Sequence, residues 1–214
     1  MFKIFRFISL LIFVMFPFST NAHVQHYKDL KSIKFDIYRN GTHIGAHIFS
    51  FKKSGDELAI KSEIKFEIKK FGIVFYKYYA EGIEIYKDNK LIKFNSTTDQ
   101  NGKLKYANIE INNNNYIIDG SAYKGEVPLE FLIGTWWNHD IVEAPAQISA
   151  VSGRIIKQKV KFLAKEIVKF GEKQVTCLWH GRHKNNGIQV EKQTTWQYNV
   201  IGFLHTRTHD FRPD

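Results

Sequence analysis

Hydrophobic and polar residues alternate along most of this chain. Between Leu58 and Lys69, Leu58, Ile60, Ile64, Phe66 and Ile68 share one face with Ser62, while Lys61, Glu63, Lys65, Glu67 and Lys69 share the other. A period of two marks an antiparallel strand with one wet side. The rhythm returns at Ile188, Val190, Thr194, Trp196 and Tyr198 against Gln189, Glu191, Gln193, Thr195 and Gln197. Helical spacing explains neither run.

Turn residues separate the alternating runs. Asn40-Gly41 is the strongest two-residue hairpin signal, followed by Ser54-Gly55-Asp56, Asp88-Asn89, Asn101-Gly102, Gly171-Glu172 and Asn185-Asn186-Gly187, because Gly, Asn and Asp tolerate the positive φ that such turns need. The pattern predicts strands at 33–40, 43–52, 57–69, 73–87, 90–98, 103–112, 115–119, 155–169, 173–184, 188–198 and 202–211. Strands joined this way run antiparallel and side by side. In Phe75-Tyr76-Lys77-Tyr78-Tyr79 the aromatic rings fall on both faces, which predicts core packing on each side of the sheet.

Between Val127 and Arg154 the alternation stops. Leu129, Phe131, Leu132, Ile133, Trp136 and Trp137 crowd together there, Asn138 is placed to cap a short helix through Asp140 and Glu143, and Pro145 limits its length. The fold expected is all-β: a long antiparallel meander curled into a half-barrel or barrel, with one short helical or loop segment, about 127–154, crossing or closing it.

Composition narrows the class. With 43% hydrophobic and 15% aromatic residues among 214, the chain can bury a sizeable core, which excludes wholesale disorder. One cysteine excludes a disulfide framework and multi-cysteine metal sites. Residues 1–22 read as a signal peptide: Lys3 and Arg6 precede the uncharged run Phe7 to Phe16, and Thr20-Asn21-Ala22 ends in small residues. The apolar run is about half the length of a membrane span, and no cysteine stands near Ala22 for lipidation. A periplasmic protein, soluble after cleavage near Ala22, is therefore expected, with residues 23–214 as a single β-rich domain. The formal charge of +10 fits an anionic envelope surface better than nucleic acid, since export and the absence of long basic blocks argue against the latter. An even spread of Lys through a Lys-, Asn- and Ile-rich composition is the simpler account of the charge.

Several short motifs carry a family resemblance. Tyr38-Arg39-Asn40-Gly41 with Ile44-Gly45 and His47, Thr97-Thr98-Asp99 with Gly102, Trp136-Trp137-Asn138, and Tyr198 with Gly202 make the chain resemble exported bacterial β-rich proteins catalogued only as a domain of unknown function. Such proteins are similar in pattern to periplasmic half-barrels that carry lipids or lipoproteins. The resemblance implies a curved antiparallel sheet closed by a short helical segment, and it implies no catalytic residue or cofactor.

Candidate chemistry is sparse. Cys177 shares a strand face with Val175 and Trp179 while His180 points away, so a buried, inert cysteine is expected rather than a thiolate nucleophile. His43 pairs with His47, and His205 with His209, by even spacing, but no acidic or thiol partner completes a metal-site pattern, so no metal or cofactor is expected. On the last strand Phe203, His205, Arg207, His209 and Phe211 alternate onto one face. If that face lines a concavity it suits an amphipathic anion such as a lipid; otherwise it is a solvated face.

The function expected is a non-enzymatic envelope protein that binds a hydrophobic or amphipathic anionic ligand between the sheet and the Leu129–Trp137 segment. Arg207, His205, His209, Phe203, Phe211, Trp136 and Trp137 are the candidate contacts. The alternatives are an interaction scaffold with a filled core and an exported hydrolase.

Overall fold

The computed structural model describes residues 30–135, 137–170, 173–184 and 187–196. The signal-like segment, Trp136, and the strand expected at 202–211 with Phe203, His205, Arg207, His209 and Phe211 lie outside them.

Eight strands follow one another as an antiparallel meander: β1 (Ser32–Arg39), β2 (Thr42–Ser54), β3 (Glu57–Lys70), β4 (Ile73–Lys87), β5 (Lys90–Gln100), β6 (Lys103–Asn112), β7 (Asn115–Gly120) and β8 (Lys124–Pro128). Their spatial order is their sequence order, and among the described residues no ladder joins β1 to β8. The sheet is an open half-barrel. Four of its hairpins turn through two residues that both have positive φ: Asn40-Gly41, Phe71-Gly72, Asp88-Asn89 and Asn101-Gly102. That geometry matches the twist of paired strands.

Alternation sorts the side chains as the sequence predicts on β3, where Leu58, Ile60 and Phe66 are buried and Lys61, Lys65 and Lys69 are exposed. The same inner face collects Phe49 and Phe51 from β2, Leu91 and Phe94 from β5, Ala107 and Ile109 from β6, and Tyr116 and Ile118 from β7. On β4 the expectation of packing on both faces fails. Tyr78 is buried and stacks on Phe66 with centroids 5.1 Å apart, but Phe75 is 63% exposed and Tyr79 37%, because among the described residues no second layer covers the outer side at these positions.

After β8 the chain crosses the inner face. It forms β9 (Leu132–Ile133), a 3-10 helix at His139–Val142, β10 (Ala146–Ile148) and β11 (Ile155–Lys157). β10 lies between β9, which it pairs in parallel, and β11, which it pairs antiparallel. Asn138 caps the short helix, its side chain accepting the Asp140 N–H at 3.0 Å. Ile133, Trp137 and Ile148 enter the same core as the sheet's inner face, and the Ser96 hydroxyl donates to the Ala150 carbonyl at 2.5 Å, tying the segment to β5.

The single strand predicted at 155–169 is broken at Gln158. Its backbone N–H donates to Pro145 O at 3.0 Å, and its buried amide donates to the carbonyls of Ile141 and Ala144 and accepts from Gln147. The three side-chain bonds satisfy an amide that would be costly to bury alone, and with the backbone bond to Pro145 they turn residue 158 out of the ladder. β12 (Lys159–Phe170), β13 (Lys173–Lys184) and β14 (Gly187–Trp196) then form a separate three-stranded antiparallel sheet. The expected meander is thus one eight-stranded sheet and one three-stranded sheet, separated by the crossing segment.

Candidate functional site

Glu84 is 1% exposed and points from β4 into the core. Its Oε2 accepts the Tyr86 hydroxyl at 2.7 Å and its Oε1 accepts the Trp137 indole N–H at 2.8 Å. The Trp137 indole is 3% exposed and meets Tyr86 and Phe51 edge to face, at centroid distances of 5.5 and 6.0 Å. The cluster therefore joins the sheet to the crossing segment through one carboxyl group.

Burial pushes the Glu84 pKa up, and its hydrogen-bond donors only partly oppose this. The same desolvation, reinforced by Glu84, drives the Tyr86 phenol well above its ordinary value. The folded protein consequently holds a proton on Glu84 more tightly than the unfolded chain does. The stability this proton contributes is fully present below pH 4.5, the ordinary value for a glutamate, and is lost as pH rises through the folded value. Glu84→Gln keeps the shape of the neutral acid and removes the titration. The expected result is that the unfolding free energy of Glu84→Gln gains on that of the wild type as pH rises from about 4.5 to about 8. Parallel urea-unfolding curves across that range would show a carboxyl group that is hydrated or ionised in the fold. Taking the difference between the two proteins cancels His47, whose pKa burial lowers to about 3.

Beside this cluster a cavity of about 260 Å³ lies between the sheet and the crossing segment. Tyr86, Leu91, Ile111 and Tyr116 form its sheet side, and Leu129, Phe131, Leu132 and Ile133 its other side. Asn89, Lys90, Asn138 and Asp140 supply its polar groups. Glu84 touches the cavity only through Tyr86. The cavity's mostly apolar lining with a few polar groups is that of a small-ligand site, at a volume just under the ~300–1,000 Å³ usual for one.

Of the sequence-derived candidates, Trp137 lies in the core behind this cavity, its indole N–H committed to Glu84. Trp136 and the five residues of the last strand are outside the described part, as is the side chain of Cys177. His43 lies 3.5 Å from Asp36, whereas the His47 ring meets Phe49 and bonds Ser62 at 3.0 Å. The two histidines thus have separate partners. Among the described residues no group of three or more His, Cys, Asp or Glu could hold a metal ion, and no helix is long and apolar enough to cross a membrane.

Sequence reasoning missed Glu84 altogether. The signal lies in strand register rather than in the alternation of β4 itself: Glu84 pairs with Ile60 of β3, whose inward direction the alternation of β3 establishes, but a bulge near the turn hides that pairing from a count along the sequence.

An open antiparallel half-barrel, sealed on its inner face by a short crossing segment, defines the class. The chain belongs to the family described as Domain of unknown function (DUF6134), which it matches over residues 35–199. No curated protein and no solved structure matches it.

Proposed function

We propose that this is an exported, periplasmic, non-enzymatic protein that holds a hydrophobic or amphipathic ligand between the half-barrel and the crossing segment. The observation that carries the reading is the mostly apolar cavity of about 260 Å³ bounded by Tyr86, Leu91, Ile111 and Tyr116 on one side and Leu129, Phe131, Leu132 and Ile133 on the other. Glu84 supports its non-enzymatic part, because Trp137 and Tyr86 occupy the carboxyl oxygens and burial excludes water. The basic start and uncharged run of residues 1–22 support export.

Lys90 at the cavity is one proposed partner for an acidic head group, and Arg207, flanked by His205 and His209, is the other. Native mass spectrometry and organic extraction of the purified protein should recover a bound amphiphile. Leu129→Trp, which fills the cavity from the crossing segment, should reduce that occupancy about tenfold, in line with a steric loss of one well-packed group. Lys90→Gln and Arg207→Gln compare the two cations, and the one that meets the head group should weaken binding of a long-chain carboxylate about ten- to hundredfold. Recovery of protein without any extractable amphiphile, together with no binding of the carboxylate, would leave a scaffold with a filled core.

A further inference from the structure

The β3–β4 hairpin ends in an apolar tip that folding alone does not explain. Phe71 occupies the first central position of the turn with φ 52°, a conformation that bulky side chains avoid and that Asn, Asp or Gly adopts readily. The other three turns of this type start with Asn40, Asp88 and Asn101. Phe71 is also 91% exposed, and Ile73, Val74 and Phe75 beside it are 65%, 44% and 63% exposed. An aromatic residue here gains neither local conformational preference nor intramolecular burial.

Basic residues surround the tip. Lys69 and Lys70 precede it and Lys77 follows it, with Lys65 further down β3 and Glu67 as the lone acid between 65 and 77. Glu67 is engaged by Lys69 at 3.1 Å, and the Lys70 ammonium lies 5.6 Å from the Phe71 ring centroid. At a rise of about 3.3 Å per strand residue, Phe71 and Ile73 to Phe75 fall within roughly 10 Å of the apex, the depth to which interfacial elements bury their apolar residues. Lys69 and Lys70 can then lay their stems along that apolar surface with their ammonium groups at head-group level.

We infer that the Phe71–Phe75 tip of the β3–β4 hairpin docks the protein on an anionic lipid surface. Apolar side chains enter the interface and the lysines meet its negative charge. The inference goes beyond the cavity reading and does not depend on it, since the tip and the cavity use different residues.

Phe71→Asn is the decisive variant, because it installs a residue the turn prefers. Its melting temperature should equal or exceed that of the wild type, while cosedimentation with phosphatidylcholine vesicles containing phosphatidylglycerol should fall about tenfold or more. Lys69→Gln with Lys70→Gln should lower the same binding roughly twentyfold and weaken its salt dependence. Binding that is unchanged in Phe71→Asn, or as strong on pure phosphatidylcholine, overturns the inference. So does a wild-type dimer that Phe71→Asn converts to monomer without any vesicle binding, since the tip would then cover a second copy. The cavity variant Leu129→Trp should bind vesicles normally, which separates failure of the docking inference from failure of the ligand reading.

Discussion

Trp137→Ala should lower the stability of the fold by about 3–5 kcal/mol, the range for removing a large buried aromatic. Two losses combine. The indole leaves a void against Phe51 and Tyr86, and Glu84 loses the N–H at 2.8 Å in a place water does not reach. Trp137→Phe separates them: it retains most of the apolar volume but leaves Oε1 short of a donor, at an expected cost of about 1–3 kcal/mol. Urea denaturation of both variants, with the slope against denaturant checked for constancy, measures the two terms. Should Trp137→Ala cost less than about 1 kcal/mol, the crossing segment does not pack on the sheet as described, since surface changes stay within about 0.5 kcal/mol.

The strands were legible because the chain states them twice, through period-two alternation and through turn chemistry. Asn40-Gly41, Asp88-Asn89 and Asn101-Gly102 mark their turns from sequence and adopt positive φ in the fold. The fourth turn of that kind carries no such mark at Phe71, so its gap between strands was readable and its exposed apex was not. Residues 127–154 were read as an interruption holding a short helix capped by Asn138, residues 155–157 as the start of a longer strand, and no strand was read at 120–126. β8, β9, β10 and β11 there are two to five residues long, too short for a period to emerge, and their positions are fixed by partners distant in sequence, such as Gln147 with Gln158.

The site was less legible than the fold for a related reason. On β4 the outward residues Phe75, Tyr79 and Ile83 are apolar, while the inward set includes Gly82 and Glu84, so hydrophobicity alone assigns the strand's faces wrongly. Register corrects it, since Glu84 lies opposite Ile60 and Phe94, both wholly inside. A bulge between Ile68 and Lys69 shifts the β3–β4 pairing by one residue near the tip. Counting back from the turn would therefore have put every β4 side chain on the opposite face. The carboxyl at the centre of the fold is visible only once three strands are aligned.

Gly45→Ala is expected to destabilise the protein by about 3 kcal/mol, the upper end of the usual range for overpacking. Gly45 lies on β2 between Ile37 of β1 and Phe66 of β3. A Cβ at this position would overlap the Lys65 carbonyl oxygen and stand 2.5 Å from the Phe66 Cβ and 2.6 Å from its Cα. Two of those three atoms are backbone, so relief requires β2 and β3 to separate rather than a side chain to rotate. Separation would also pull on the His47–Ser62 bond two residues away and on the inward placement of Phe66 beneath Tyr78. Gly82→Ala is the control, because its nearest atom is the edge of the Phe94 ring at 3.2 Å, which can shift by a few tenths of an ångström. It should cost about 1 kcal/mol. For a domain of this size the Gly45 variant should melt roughly 6–12 °C below the wild type and the Gly82 variant roughly 2–4 °C below. Equal melting temperatures for Gly45→Ala and the wild type would mean that β2 and β3 do not approach so closely, and that the glycine in the Ile44-Gly45 motif serves some purpose other than strand contact.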